Sequence, residues 1–164
     1  MKDYELAQLN IARLIEPIDS PRLSDFVANL ERINALAERS KGFVWRLQTE
    51  DSDANTDRSF GDDYIVNLSV WDDIASLRNY VYRSAHVEIM RRRKEWFSRM
   101  KEAYMVLWWV PAGHIPSVSE AHDKLELLRC NGPAEDAFTF KHAYPKPNSK
   151  EDGSHVFDDT CPAW

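Results

Sequence analysis

Apolar residues recur along this chain with two periods. From Tyr4 to Leu14, Leu9 and Ile11 fall on one face and Gln8 and Asn10 on the other, as in a strand. Its polar members face water, or face a pocket if both sides of the sheet are covered. From about Arg22 to Arg39 the spacing becomes helical, with Leu23, Phe26, Val27, Leu30, Ile33, Asn34 and Ala37 in one stripe. Asp19 or Ser20 caps this helix with Pro21 in its first turn, and Gly42 follows as a stop. Phe43 to Gln48 is a second strand, with Phe43, Trp45 and Leu47 on one face and Val44 and Arg46 on the other. Tyr64 to Trp71 is a third, with Asn67, Ser69 and Trp71 sharing a face. In Ala103 to Val110 both alternating sets are apolar, so this fourth strand is expected to be covered on both faces.

The stretch from Trp71 to Phe97 is predicted to be a short helix, a break near Arg83 and Ser84, and a longer helix. On the longer one, His86, Met90, Arg93 and Phe97 fall at i, i+4, i+7 and i+11, which is one face. The run Arg91–Arg93 covers roughly 200° of helix surface, at about 100° per residue. One arginine therefore points at protein, and the spacing selects Arg93. An arginine inside protein needs an anion or several acceptors. The partner is an internal carboxylate in a purely structural reading and an anionic ligand in a functional one. The stem of Arg92, near Ile89 and Trp96, covers apolar surface.

After the fourth strand comes the turn Pro111–Pro116, then a third helix from Ser117 to about Cys130. Ser117 and Glu120 have capping-box spacing. Asn131-Gly132-Pro133 stops it, and Ala137 to Lys141 reads as a short edge strand. Residues 49–63 are polar and acidic and read as an exposed loop without the ligand order of a calcium site. The chain divides into a domain over residues 1–141 and a tail over 142–164 that is mobile or docked along the surface.

Composition narrows the function. The 164 residues are enough for one domain with a full core, and six tryptophans suit a core or an aromatic pocket. A net charge of −6 argues against nucleic acid as a partner. No stretch is long and apolar enough to span a membrane, and the N-terminus lacks an apolar signal core, so a cytoplasmic location is expected. Cys130 and Cys161 show no metal-ligand spacing, and Cys130 reads as a reduced thiol in a helix.

The element order is strand, helix, strand, strand, helix, strand, helix. This is an α+β, ferredoxin-like sandwich with an antiparallel sheet and an added C-terminal helix and tail. The sheet face away from the first helices needs a cover. A homodimer with two sheets face to face supplies one, and the third helix contributes.

The segments YELAQLNIARL, FVWRLQTED, SVWDDIASLRNYVYRSAH, RRRKEWF and LWWVPAGHIPSVSEA resemble a bacterial family of unknown function. That family is placed with the dimeric α/β-barrel proteins, which include antibiotic-biosynthesis-type monooxygenases. The resemblance spans roughly Asp3 to Phe140. It implies the fold, the dimer and a cavity between sheet and helices.

Three functions compete. In a cofactor-independent monooxygenase-like enzyme, an aromatic or enolisable substrate loses a proton and its anion reacts with oxygen. His86 would be the base, Arg93 would hold the anion, and Asn10, Asn67, Trp71, Met90 and Phe97 would bind the substrate. In a haem protein, His86 would be the axial ligand. In a non-catalytic ligand-binding or interaction module, the aromatics form only core and dimer surface.

Overall fold

The computed structural model describes residues 2–48, 60–83, 86–149 and 155–156, with backbone only at residues 86, 155 and 156. The elements are β1 (Tyr4–Arg13), α1 (Ser24–Arg39), β2 (Phe43–Arg46), β3 (Tyr64–Trp71), α2 (Ile74–Arg83), α3 (His86–Arg91), β4 (Met105–Pro111), α4 (Val118–Asn131), β5 (His142–Ala143) and β6 (His155–Val156). The first four strands make an antiparallel sheet in the order β2-β3-β1-β4, with β5 and β6 paired separately. This is the ferredoxin-like α+β arrangement expected from the element order.

β1 is the centre of the sheet. It pairs with β3 on one edge and β4 on the other, and Glu5 to Ala12 are all buried. Leu6 and Ala12 pack toward α1 and α2, with Phe26, Ile33, Leu77 and Val81. Ala7, Leu9 and Ile11 pack the other way, with Val106, Trp108 and Val110 of β4 and Ala121, Leu125 and Leu128 of α4. α4 thus covers the second face where β1 and β4 lie. Trp45, Leu47 and Val66, on the β2–β3 side of that face, are only half-buried.

Local chemistry sets the element ends. Asp73 Oδ1 accepts from the Ser76 N–H at 2.7 Å and caps the start of α2. Ser117 Oγ accepts from the Glu120 N–H at 3.0 Å and caps α4. Gly132, at φ 73°, closes that helix with its N–H on the Leu128 carbonyl. Ser20 makes no side-chain cap; a 3-10 turn over Pro21–Leu23 leads into α1 instead. Val27, expected in the buried stripe of α1, is 42% exposed.

The longer helix expected through Phe97 is absent. α3 ends at Arg91 and a 3-10 turn follows over Arg93–Glu95. The reason is the burial of Trp96 and Phe97 as consecutive residues, both against Phe26, at centroid distances of 5.4 and 5.0 Å. Neighbours on a helix point about 100° apart. The chain instead extends, and the Trp96 carbonyl accepts from Ile15 N–H while Phe97 bridges Leu14. His86, Met90, Arg93 and Phe97 therefore do not share one helical face.

Ala137–Lys141 is not a strand. Phe138 alone bridges Leu107, exchanging both backbone hydrogen bonds at 2.8 Å on the outer edge of β4. Beyond it, Ala143 is buried, and Trp109 Nε1 donates to the Tyr144 carbonyl at 3.0 Å. His142 to Tyr144 is thus docked on the core.

Gly42 joins α1 to β2 at φ 84°, where its carbonyl accepts from Asp72 N–H. A Cβ here would collide with Oγ and Cβ of Ser76. Left-handed backbone costs a non-glycine residue about 1–2 kcal/mol before any clash. Gly42→Ala is expected to lower unfolding stability by about 2 kcal/mol or more, read by urea denaturation. An unchanged midpoint would show that the turn relaxes freely.

Candidate functional site

Polar side chains gather on the helix-facing side of the sheet. Gln8 and Asn10 of β1 stand opposite Ser69 and Asn67 of β3 in register. Gln8, Asn10 and Ser69 are at most 5% exposed. Groups this deep lose water and must find partners within the protein. Gln8 Nε2 donates to Asn67 Oδ1 and Ser69 Oγ, each at 3.0 Å, and lies 3.3 Å from the Asn67 carbonyl. Trp71 Nε1 donates to the same Ser69 Oγ at 2.9 Å.

These groups floor a cavity. Asn34 and Ala37 of α1 form one wall, and Leu77, Tyr80 and Val81 of α2 another. Phe43 and Arg46 of β2 close the side. The cavity has a volume of about 30 Å³ and opens to solvent. A water needs about 10–15 Å³ of such volume, so the cavity holds about two. Tyr80 stacks on Trp71 with ring centroids 5.2 Å apart, and its hydroxyl donates to the Ile33 carbonyl at 3.3 Å.

Arg46 is the charged member of the lining. Its Nε donates to Glu38 Oε1 at 2.8 Å and its Nη1 to the Leu47 carbonyl at 3.3 Å. The alternation in Phe43–Gln48 placed Arg46 opposite Phe43, away from this site. A register shift between Phe43 and Trp45 overturns that. The bulge at Val44 puts Trp45 and Leu47 with the α4 side and both Phe43 and Arg46 with the cavity. Asn34 was visible in the sequence as the polar member of an apolar stripe.

The residues singled out from sequence separate into groups. Asn10, Asn67 and Trp71 come together in the cavity. Met90 and Phe97 lie in the core beside α1. Arg93 does not line the cavity. Its guanidinium lies over the Tyr104 ring at 5.3 Å, with Nη1 3.4 Å from the Tyr104 hydroxyl. His86 is the first residue of α3, and its side chain lies outside the described residues. Arg92 covers Trp96 at 4.8 Å and pairs with Asp25 and Glu95. Elsewhere, His114 pairs with Glu120, whose other oxygen accepts from Trp108 Nε1. Among the described residues no group of three or more His, Cys, Asp or Glu is placed to hold a metal, and no helix is long and apolar enough to cross a membrane.

Fold and cavity together define a ferredoxin-like chain with a polar pocket between its sheet and helices. Residues 5–154 match the family described as Domain of unknown function (DUF3291), and the chain belongs to that family. A comparison with curated proteins found no match. Among solved structures, the chain is similar to the NE2512 protein of unknown function from Nitrosomonas europaea. Identity is 16% and the TM-score 0.44, over 71% of this chain and 99% of that one. It is also similar to SnoaB, a cofactor-independent oxygenase from Streptomyces nogalater. Here identity is 15% and the TM-score 0.40, over 71% of this chain and 97% of that one.

Burial pushes the Tyr80 phenol above its ordinary value of 10.0, against a smaller opposing effect of Arg46. A raised folded-state value gives stability that is complete below the unfolded value and lost as pH rises through the folded one. Urea unfolding is expected to show wild type weakening above about pH 10, with Tyr80→Phe weakening less over the same range. At neutral pH the variant loses the bond to Ile33, at a cost of about 1 kcal/mol. Parallel pH profiles for the two proteins would contradict this account.

Proposed function

We propose that this chain is a small-molecule-binding protein of the dimeric α/β-barrel type, with the polar head of its ligand in the cavity beneath α1 and α2. The observation that carries the reading is the burial of Gln8, Asn10 and Ser69 around a hollow, where aliphatic side chains would pack with no desolvation penalty. The stacked Trp71–Tyr80 pair gives the ligand an aromatic wall. Thermal melts with a panel of phenols and enolisable ketones are expected to show stabilisation that Asn67→Leu abolishes. No stabilisation by any compound, or the same stabilisation in Asn67→Leu, would sink the reading.

As an enzyme, this site suits cofactor-independent oxygenation of an aromatic or enolisable substrate. The step needs a base for the substrate proton and donors or a cation for the anion that forms. His86 is the base in this reading. Arg46, on the cavity wall, takes the anion-holding role expected of Arg93. Oxygen consumption with the binding phenols, lost in His86→Ala, is the expected result. Binding without oxygen uptake leaves a non-catalytic ligand-binding module, and a Soret band with haemin that disappears in His86→Ala moves the reading to haem.

The same reading includes a homodimer. The half-buried Trp45, Leu47 and Val66, with Val44 39% exposed beside them, are the part of the sheet region that α4 leaves for a second copy. Sedimentation is expected to give a dimer that Trp45→Glu weakens. A monomer at all concentrations would remove it.

A further inference from the structure

The hydrogen bonds already made inside the cavity fix what it has left to offer a ligand. A serine oxygen carries two lone pairs and one proton. Ser69 Oγ accepts from both Gln8 Nε2 and Trp71 Nε1, so its lone pairs are used and its own O–H remains to donate. Asn67 Oδ1 is engaged by Gln8, which leaves the Asn67 N–H2 as the end with hydrogens to give. The Tyr80 hydroxyl is turned to the Ile33 carbonyl. Arg46 has five N–H groups, and among the described residues its bonds use Nε and Nη1. The donating groups of this lining are thus the Ser69 O–H, the Asn67 N–H2 and the positively charged Arg46, beside the amide oxygens of Gln8 and Asn10.

A head group that only accepts hydrogen bonds suits such a site. An amide or alcohol can meet the same donors but brings no charge for Arg46 to pair with. The cavity volume of about 30 Å³ holds about two waters, matching the span of a carboxylate's two oxygens. Arg46 is already held by a carboxylate of this protein. Glu38 is 42% exposed, so it returns to water readily when displaced, whereas the Arg46 side chain is 21% exposed.

We infer that the cavity takes the carboxylate of a small organic acid, with Ser69 and Asn67 donating to its oxygens and Arg46 released from Glu38 to pair with it. The aromatic or enolisable body of the acid then lies toward the cavity's opening to solvent. Glu38 acts as a built-in competitor that occupies Arg46 until the acid arrives. This inference rests on the cavity being the ligand site, as proposed above.

The test compares acetate, benzoate and phenylacetate with acetamide, benzamide and phenylacetamide, by calorimetry and thermal melts on the full chain. The acids are expected to bind and the amides to bind about tenfold or more weakly. Glu38→Gln removes the competitor and is expected to tighten acid binding several-fold. Ser69→Ala and Arg46→Met are expected to weaken it about tenfold. If Arg46→Met does not fold, as judged by tryptophan fluorescence, the Glu38→Gln and Ser69→Ala results decide. Amides that bind as well as acids, or acid binding that Glu38→Gln leaves unchanged or weakens, would overturn the carboxylate while the cavity stands as a ligand site. No binding by either series, with no stabilisation by the phenols and ketones, would remove both.

Discussion

The confinement of β1 governs this molecule. That strand is hydrogen-bonded along both edges and covered on both faces, by α1 and α2 on one and α4 on the other. Gln8 and Asn10 meet water there only through the cavity. Gln8 finds its partners on β3, whose register sets Ser69 and Asn67 opposite Gln8 and Asn10. A one-residue slip of β1 would turn Gln8 and Asn10 to the α4 side and put aliphatic side chains beneath α1. Sheet register and cavity chemistry are thus one constraint.

A second consequence concerns where charge enters. The floor of the cavity is neutral, and its cation comes from the edge strand β2 through the bulge at Val44. An edge strand tolerates an extra residue because one of its sides has no partner to disrupt. Arg46 keeps contact with Glu38 of α1 there, so the charged group sits where the cavity meets the surface.

Much of the architecture was legible in the chain. Alternation in Tyr64–Trp71 placed Asn67, Ser69 and Trp71 on one face correctly, and the doubly apolar Met105–Val110 is covered on both sides. Asn10, Asn67 and Trp71 could be grouped because strand faces follow a period of two without exception inside a regular ladder. Arg46 could not, since a bulge breaks that period and leaves no mark of its own in FVWRLQ. The stripe through His86 and Phe97 failed for a related reason. Helical spacing presumes that the helix continues, and the demand of adjacent Trp96 and Phe97 for burial against Phe26 ended it early. Local periodicity carried no record of that distant phenylalanine.

The single bridge between Leu107 and Phe138 has an effect beyond the core it helps to close. A bare margin of β4 would be a row of open amide and carbonyl groups on a strand apolar to both sides, the kind of template along which chains stack into fibrils. Phe138 occupies the middle of that row with both of its backbone groups. The opposite margin, β2, is four residues long and kinked. Among the described residues, neither end of the sheet therefore offers a long flat run along which another molecule could add a strand, which suits a chain so rich in tryptophan.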